Sequence, residues 1–117
     1  MTTLDQYFQL SDSAGADEII FEKLINLFSE QAVLKPAGAK EIKGKEAIRK
    51  FFKEFFRRNE ELHHVWQTQP SGQKLETTWA VSGRRIDGEI FCLKGIDIAE
   101  LDEMNKIRTL EVQFKIQ

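Results

Sequence analysis

Apolar side chains recur along this chain at two spacings, three to four residues apart in the first half and largely two apart in the second. Thr3 and Gln6 stand at capping-box spacing, which predicts a first helix over Leu4 to Ser11 with Tyr7, Phe8 and Leu10 as its apolar weight. Asp17 can cap a second helix, in which Ile20, Leu24, Leu27 and Phe28 step by three and four and which is expected to end near Ser29. Ala32 to Lys35 is short and partly β-branched, and Pro36 cannot donate to a sheet ladder, so this segment reads as an edge strand and a turn, with Ile42 pairing back. A third helix over Lys45 to Asn59 collects Ile48, Phe51, Phe52, Phe55 and Phe56 on one stripe, and Lys45, Arg49, Lys50, Lys53 and Arg57 opposite. Strands follow over Leu62 to Gln69, Lys74 to Ile86, Glu89 to Leu101 and Lys106 to Ile116. Helices first and strands last predict an α+β domain rather than alternating βαβ units.

Turn chemistry sets the expected registers. Asp87-Gly88 is the preferred pair for a two-residue type I′ hairpin, which would put Ile86 opposite Glu89, Ser82 opposite Leu93, Ala80 opposite Gly95 and Thr78 opposite Asp97. A four-residue loop over Asp102 to Asn105 would put Leu110 opposite Asp97, Val112 opposite Gly95 and Phe114 opposite Leu93. One face then gathers Thr78, Ala80, Ser82, Leu93, Gly95, Asp97, Leu110, Val112 and Phe114, apolar but for one carboxylate. If Pro70 to Gln73 is also a four-residue loop, His63 turns to this face beside Ala80, while His64 and Trp66 turn away. The far face holds Trp79, Val81, Ile90, Cys92, Ile96 and Ile98, enough apolar surface to predict a homodimer through the outer side of the sheet.

At 117 residues, 41% hydrophobic and 31% charged, the chain has the size of one domain, residues 1–117. Its nine Phe can bury about 150–250 Å² each, sufficient for a real core. A net charge of −2 offers no positive field, so no nucleic-acid partner is expected. Cys92, the lone cysteine, reads as a small buried hydrophobe and fits a reducing compartment. The start, MTTLDQYF, lacks a basic segment followed by an apolar run, and no stretch of about 18 apolar residues occurs. The expectation is a cytoplasmic protein with no membrane association. No cofactor is expected either: there is no phosphate-cradling glycine loop, no nucleophile elbow, and no second ligand at metal spacing from His63 or His64.

Asp97 is the one charged residue expected on the inner face, where a carboxylate must pair or take up a proton. Lys35 and Asp97 read either as an ion pair tying the edge strand to the sheet, or as two groups of a pocket in which the ammonium meets an anionic ligand or the amine serves as base; a third reading turns Lys35 to solvent. Tyr7 is a core ring or a hydroxyl presented to a ligand, and His63 is a surface residue or a base at the pocket mouth.

Four segments, YFQLSD at Tyr7 to Asp12, LFSEQAVLKPAG at Leu27 to Gly38, IKGKEAIRKFF at Ile42 to Phe52 and GIDIAELDEMNKI at Gly95 to Ile107, resemble the SnoaL-like branch of the nuclear transport factor 2-like superfamily. The resemblance implies a cone-shaped α+β barrel, three N-terminal helices on a curved, mainly antiparallel sheet of four to six strands, and a homodimer with a conical pocket. Within that superfamily the ketosteroid isomerase branch keeps a Tyr and a protonated acid where this chain has Tyr7 and Asp97, but Lys35 stands where that branch keeps its basic carboxylate. The resemblance therefore implies a pocket, lined by Thr78, Ala80, Leu93, Leu110, Val112, Phe114 and His63, for a small hydrophobic molecule. The enzymatic alternative is an isomerase, cyclase, dehydratase or epoxide hydrolase acting on a carbonyl- or hydroxyl-bearing substrate through Asp97, Tyr7 and Lys35. A non-catalytic dimeric module is the other alternative, because a fold of this kind does not fix a function.

Overall fold

A computed structural model describes residues 1–115 of the chain. Three helices, α1 (Thr3–Ser11), α2 (Glu18–Ile25) and α3 (Lys45–Arg58), accompany six strands, β1 (Phe28–Lys35), β2 (Ile42–Lys43), β3 (Asn59–Ser71), β4 (Lys74–Arg85), β5 (Ile90–Leu101) and β6 (Ile107–Phe114). Ile116, the expected end of the last strand, lies outside the described residues.

The capping box of α1 sits one residue before the expected place. Asp5 N–H donates to Thr2 Oγ1 at 3.1 Å, and the Asp5 carboxylate accepts from Thr2 N–H at 2.9 Å. The other Asp5 oxygen accepts from Trp66 Nε1 at 3.1 Å and so ties α1 to β3. Asp17 caps α2 through Ile19 and Ile20 N–H, as expected. That helix stops at Ile25, short of Ser29, because the Leu27 carbonyl accepts from Ile107 N–H at 2.7 Å and commits the chain to the sheet.

The six strands run in the order β2-β1-β6-β5-β4-β3, antiparallel except for the parallel β1–β6 pair. The helices cover one face, and their apolar stripes join the sheet in a single cluster that includes Leu4, Phe8, Leu24, Phe28, Ile48, Phe52, Trp79 and Leu110. Three α3 stripe residues, Ile48, Phe52 and Phe56, are buried, while Phe51 and Phe55 are partly covered.

The β4–β5 register differs from expectation by one residue, which turns β4 over. Arg85 N–H donates to the Glu89 carbonyl at 2.8 Å, and Gly88 N–H donates to the Arg85 carbonyl at 2.9 Å. The loop is therefore three residues, Ile86-Asp87-Gly88, with Gly88 at φ 95 supplying the left-handed position of a bulged hairpin. Trp79 now faces Gly95 and Val81 faces Leu93. Trp79 and Val81 are buried under the helices, whereas Thr78, Ala80 and Ser82 lie on the outer face.

The β5–β6 loop is also three residues, closed by Asp102 N–H to the Lys106 carbonyl at 2.8 Å with Asn105 at φ 62. A bulge between Glu100 and Leu101 adds a second residue of displacement, so Asp97 faces Val112 and Gly95 faces Phe114. A shift of two preserves parity, and Leu110, Val112 and Phe114 stay on the inner face. The outer face keeps Ile90, Cys92, Ile96 and Ile98 and gains Val65, which stands opposite Ala80; Val65 is 69% and Ile90 64% exposed. Cys92 is exposed there rather than buried, because the apolar cover lies on the other side of the sheet. Among the described residues no helix is long and apolar enough to cross a membrane.

Candidate functional site

Between the helices and the concave face of the sheet lies a cavity of about 330 Å³. Tyr7 of α1, Phe52 and Phe55 of α3, Trp79 of β4 and Asp97 of β5 line it, and Arg58, Arg85, Phe91, Leu93 and Phe114 also border it. Its surface is apolar except at a few groups, of which Asp97 is the only acid.

Asp97 is 2% exposed. Trp79 Nε1 donates to its Oδ1 at 2.8 Å, and Trp79 is the sole hydrogen-bond partner of this carboxyl among the described residues. Burial pushes the carboxyl up to about 7, against the smaller pull of the Trp79 hydrogen bond in the other direction. Near neutral pH it holds a proton about as often as not. Burial and the adjacent Asp97 charge both raise the Tyr7 hydroxyl well above the usual phenol value, so Tyr7 remains a donor. Its ring is fixed edge-on by Phe8, Phe28 and Phe52 at centroid distances of 5.1, 6.2 and 6.0 Å.

Gly95 makes the Trp79–Asp97 contact feasible. Trp79 faces Gly95 across the ladder and its indole lies over β5 to reach Asp97 two residues on. A Cβ at Gly95 would stand 2.5 Å from the indole and 2.4 Å from the Gln113 carbonyl oxygen, closer than either can accept.

His64, which borders the same space, is paired from behind with Asp12. His64 Nδ1 lies 2.6 Å from Asp12 Oδ1, and His64 N–H donates to both Asp12 oxygens at 3.1 Å. Asp12 is the residue that ends α1. In the neutral ring, a carboxylate on Nδ1 selects the tautomer protonated there, which makes Nε2 the acceptor. The ring packs between Phe8 and Trp79 at 5.7 and 6.3 Å.

Of the residues singled out from the sequence, Tyr7, Asp97, Leu93, Val112 and Phe114 border the cavity. Leu110 faces the same way but is fully packed in the core. Thr78, Ala80 and His63 do not share this face. His63 stands opposite Ser82 on the outer side, with its ring 65% exposed and bonded to Glu61 at 2.7 Å. Lys35 forms no pair with Asp97: Ala32 and Leu34 take the inward positions of β1, and Lys35 points out to Glu41 at 3.5 Å. The sequence reading missed His64, Asp12 and Trp79. Leu62, His64 and Trp66 alternate with His63 and Val65, and two bulky apolar residues flanking His64 at period two were the available signal.

Comparison with known proteins agrees with this architecture. Among curated proteins none matches the sequence. A crystal structure of an NTF2-like protein of unknown function from Exiguobacterium sp. 255-15 is 36% identical, with a TM-score of 0.92 over 99% of this chain and 100% of that one. An epoxide hydrolase/cyclase-like enzyme of pyran ring formation in the polyether salinomycin shares the fold at 17% identity, with a TM-score of 0.80 over 97% of this chain and 88% of its own. A putative SnoaL-like polyketide cyclase from Jannaschia sp. CCS1 does so at 11% identity and a TM-score of 0.79, over 97% and 85%. The profile of the SnoaL-like domain matches residues 7–109, and the chain belongs to that family, on the nuclear transport factor 2-like fold.

Proposed function

We propose that this protein binds a small, largely apolar molecule in the cone, with an oxygen of that molecule set against Asp97 and the Tyr7 hydroxyl. The observation that carries the reading is a buried carboxyl with a single partner among the described residues, Trp79, bordering a largely apolar cavity. Burying such a group among hydrocarbon is costly unless something else accepts its bond. A ligand carbonyl or hydroxyl would complete its hydrogen bonding, with protonated Asp97 and Tyr7 as donors. The structural neighbour that acts as an epoxide hydrolase/cyclase-like enzyme is compatible with such use of the fold.

Proton transfer on the bound oxygen is the second reading, favoured by one fact: the Asp97 carboxyl sits at about 7, where it gives and takes a proton with equal ease. His64, oriented by Asp12, would be the second group of such a pair. Lys35 has no part in it, since it points away from the cavity. We also propose that two copies pair through the outer sheet face, where Val65, Ile96 and Ile98 would be covered.

The test is a titration with the neutral dye N-phenyl-1-naphthylamine, whose fluorescence rises in apolar surroundings. Wild type should bind one dye per chain saturably, and Val112→Trp, which fills the cavity, should not, while the outer-face variant Val65→Lys binds as wild type. Binding that survives Val112→Trp in a folded variant would refute the cavity as the site.

A further inference from the structure

We infer that the ligand carries an anionic head of carboxylate type at its outer end, received by Arg58 and Arg85; the inference rests on the cavity being the ligand site. These two guanidinium-bearing residues border the space, and among the described residues Asp97 is the single acid of its lining; Glu89 pairs with Arg85 from outside it. Arg85 is held in place rather than free. Its guanidinium carbon lies 4.2 Å from the centroid of the Phe91 ring, its Nε bonds Glu89 at 3.0 Å and its Nη1 bonds Asn59 Oδ1 at 3.4 Å.

Two of these three supports, Asn59 and Phe91, are anchored in turn. Asn59 is buried and donates from Nδ2 to the Phe55 carbonyl at 2.8 Å. Phe91 lies against Gly83, where a Cβ would come within 2.7 Å of the ring. Arg58 closes α3 next to the β4–β5 turn, since Ile86 N–H donates to its carbonyl at 2.9 Å. Among the described residues no carboxylate pairs with Arg58. Arg85, stacked on Phe91 and using its Nε on Glu89, and Arg58, with no carboxylate partner among the described residues, stand at the edge of an apolar space and form a receptor for a planar anion, which Arg grips in a two-point fork.

The position of this end also constrains the length of the ligand. Asp97 faces Thr77, and Arg85 lies eight residues further along β4. That is at most ~26 Å of strand at ~3.3 Å per residue, and the curvature of the sheet and the length of the Arg85 side chain shorten the gap between the two groups. A molecule serving both ends is elongated, with an oxygen function at one end, an acid at the other, and a hydrocarbon middle against Phe55, Val81 and Leu93.

Competition against bound N-phenyl-1-naphthylamine tests this with chain-matched competitors, decanoate and 1-decanol, at pH 8 and low salt. Decanoate should displace the dye at roughly tenfold lower concentration, one charge-assisted contact beyond the alcohol. Arg58→Gln should reduce that advantage and Arg58→Gln/Arg85→Gln erase it. Added salt should narrow it in wild type, since the guanidinium groups meet solvent. Equal potency of acid and alcohol in wild type, or an advantage untouched in folded Arg58→Gln, overturns the anionic head and leaves the cavity reading standing. Absence of saturable dye binding overturns both.

Discussion

The half of the core that borders the cavity and the half that does not are built from the same elements but packed to different ends. Away from the cavity, Leu24, Ile25, Phe28, Ile48 and Ile107 are each at most 1% exposed. Around it, Phe51 and Phe55 are only partly covered, Leu93 is 37% exposed and Phe114 52%. Helix α3 serves both, with Ile48 in the solid part and Phe55 and Arg58 beside the hollow. Stability is therefore concentrated where no chemistry is proposed, and the open half can hold a buried acid whose desolvation works against folding.

The most direct way to break this comparison is to truncate one aromatic in each half. Phe28→Ala, in the solid half, should lower unfolding free energy by about 3–5 kcal/mol, because no space beside it can absorb the loss. Phe55→Ala should cost under ~2 kcal/mol, since its ring already faces open space and covers less apolar area. Urea denaturation followed by circular dichroism compares the two. Equal costs would mean that the two halves are packed alike.

Asp97→Asn probes the cost of the hollow half. The carboxyl is raised from an ordinary value of 3.8 to about 7 in the folded state. Below pH 4 both folded and unfolded chains hold the proton and no penalty exists. Between pH 4 and 7 the unfolded chain ionises while the folded one resists, so stability falls as pH rises, by on the order of 4 kcal/mol, and is level above. Asp97→Asn, which keeps an acceptor for Trp79, should be more stable than wild type at pH 8 and no more stable near pH 4. A wild-type and variant difference that does not change with pH would show that the carboxyl is solvated.

Gly95→Ala should cost ~1–3 kcal/mol by forcing the indole and β6 apart. It sharpens the comparison because its second effect is local. With Trp79 displaced, the one hydrogen bond that favours ionised Asp97 is lost, and the carboxyl should titrate higher than in wild type by carbon-detected NMR. An unmoved midpoint would mean that the indole is not what Asp97 depends on.

Helices α1 and α3 were legible in the sequence, α3 because it rests on a long periodic run in which Ile48, Phe52 and Phe56 could only face inward; the end of α2 was not, since Phe28, read as its last apolar step, opens β1. The cavity was legible only where parity survived. Asp97, Val112 and Phe114 came out correctly because the β5–β6 error was two residues, one from the loop and one from the bulge at Glu100. Thr78 and Ala80 came out on the wrong side because the β4–β5 error was one. Asp87-Gly88 suits a two-residue turn and equally suits the last two places of a three-residue one, so local chemistry alone does not choose between them. The burial demand of Trp79 and Val81 chooses, since the longer loop brings both under the helices. His64 followed β4 inward for the same reason, and Asp12, 52 residues away, had no sequence signal that would pair it with a histidine.

The smallest expected effect belongs to Lys35→Ala. Lys35 and Glu41 are both about half exposed at 3.5 Å, and an ion pair of that kind is worth ~0.5 kcal/mol or less. If the cavity chemistry is confined to the concave side, removing this ammonium changes neither the binding of N-phenyl-1-naphthylamine nor the Asp97 midpoint. Lys35 leaves β1 on the side opposite Leu34, and Leu34 is the β1 side chain that borders the cavity. An Asp97 midpoint raised by more than about half a pH unit in Lys35→Ala would show instead that the ammonium stabilises the ionised carboxyl through the sheet, by at least ~0.7 kcal/mol.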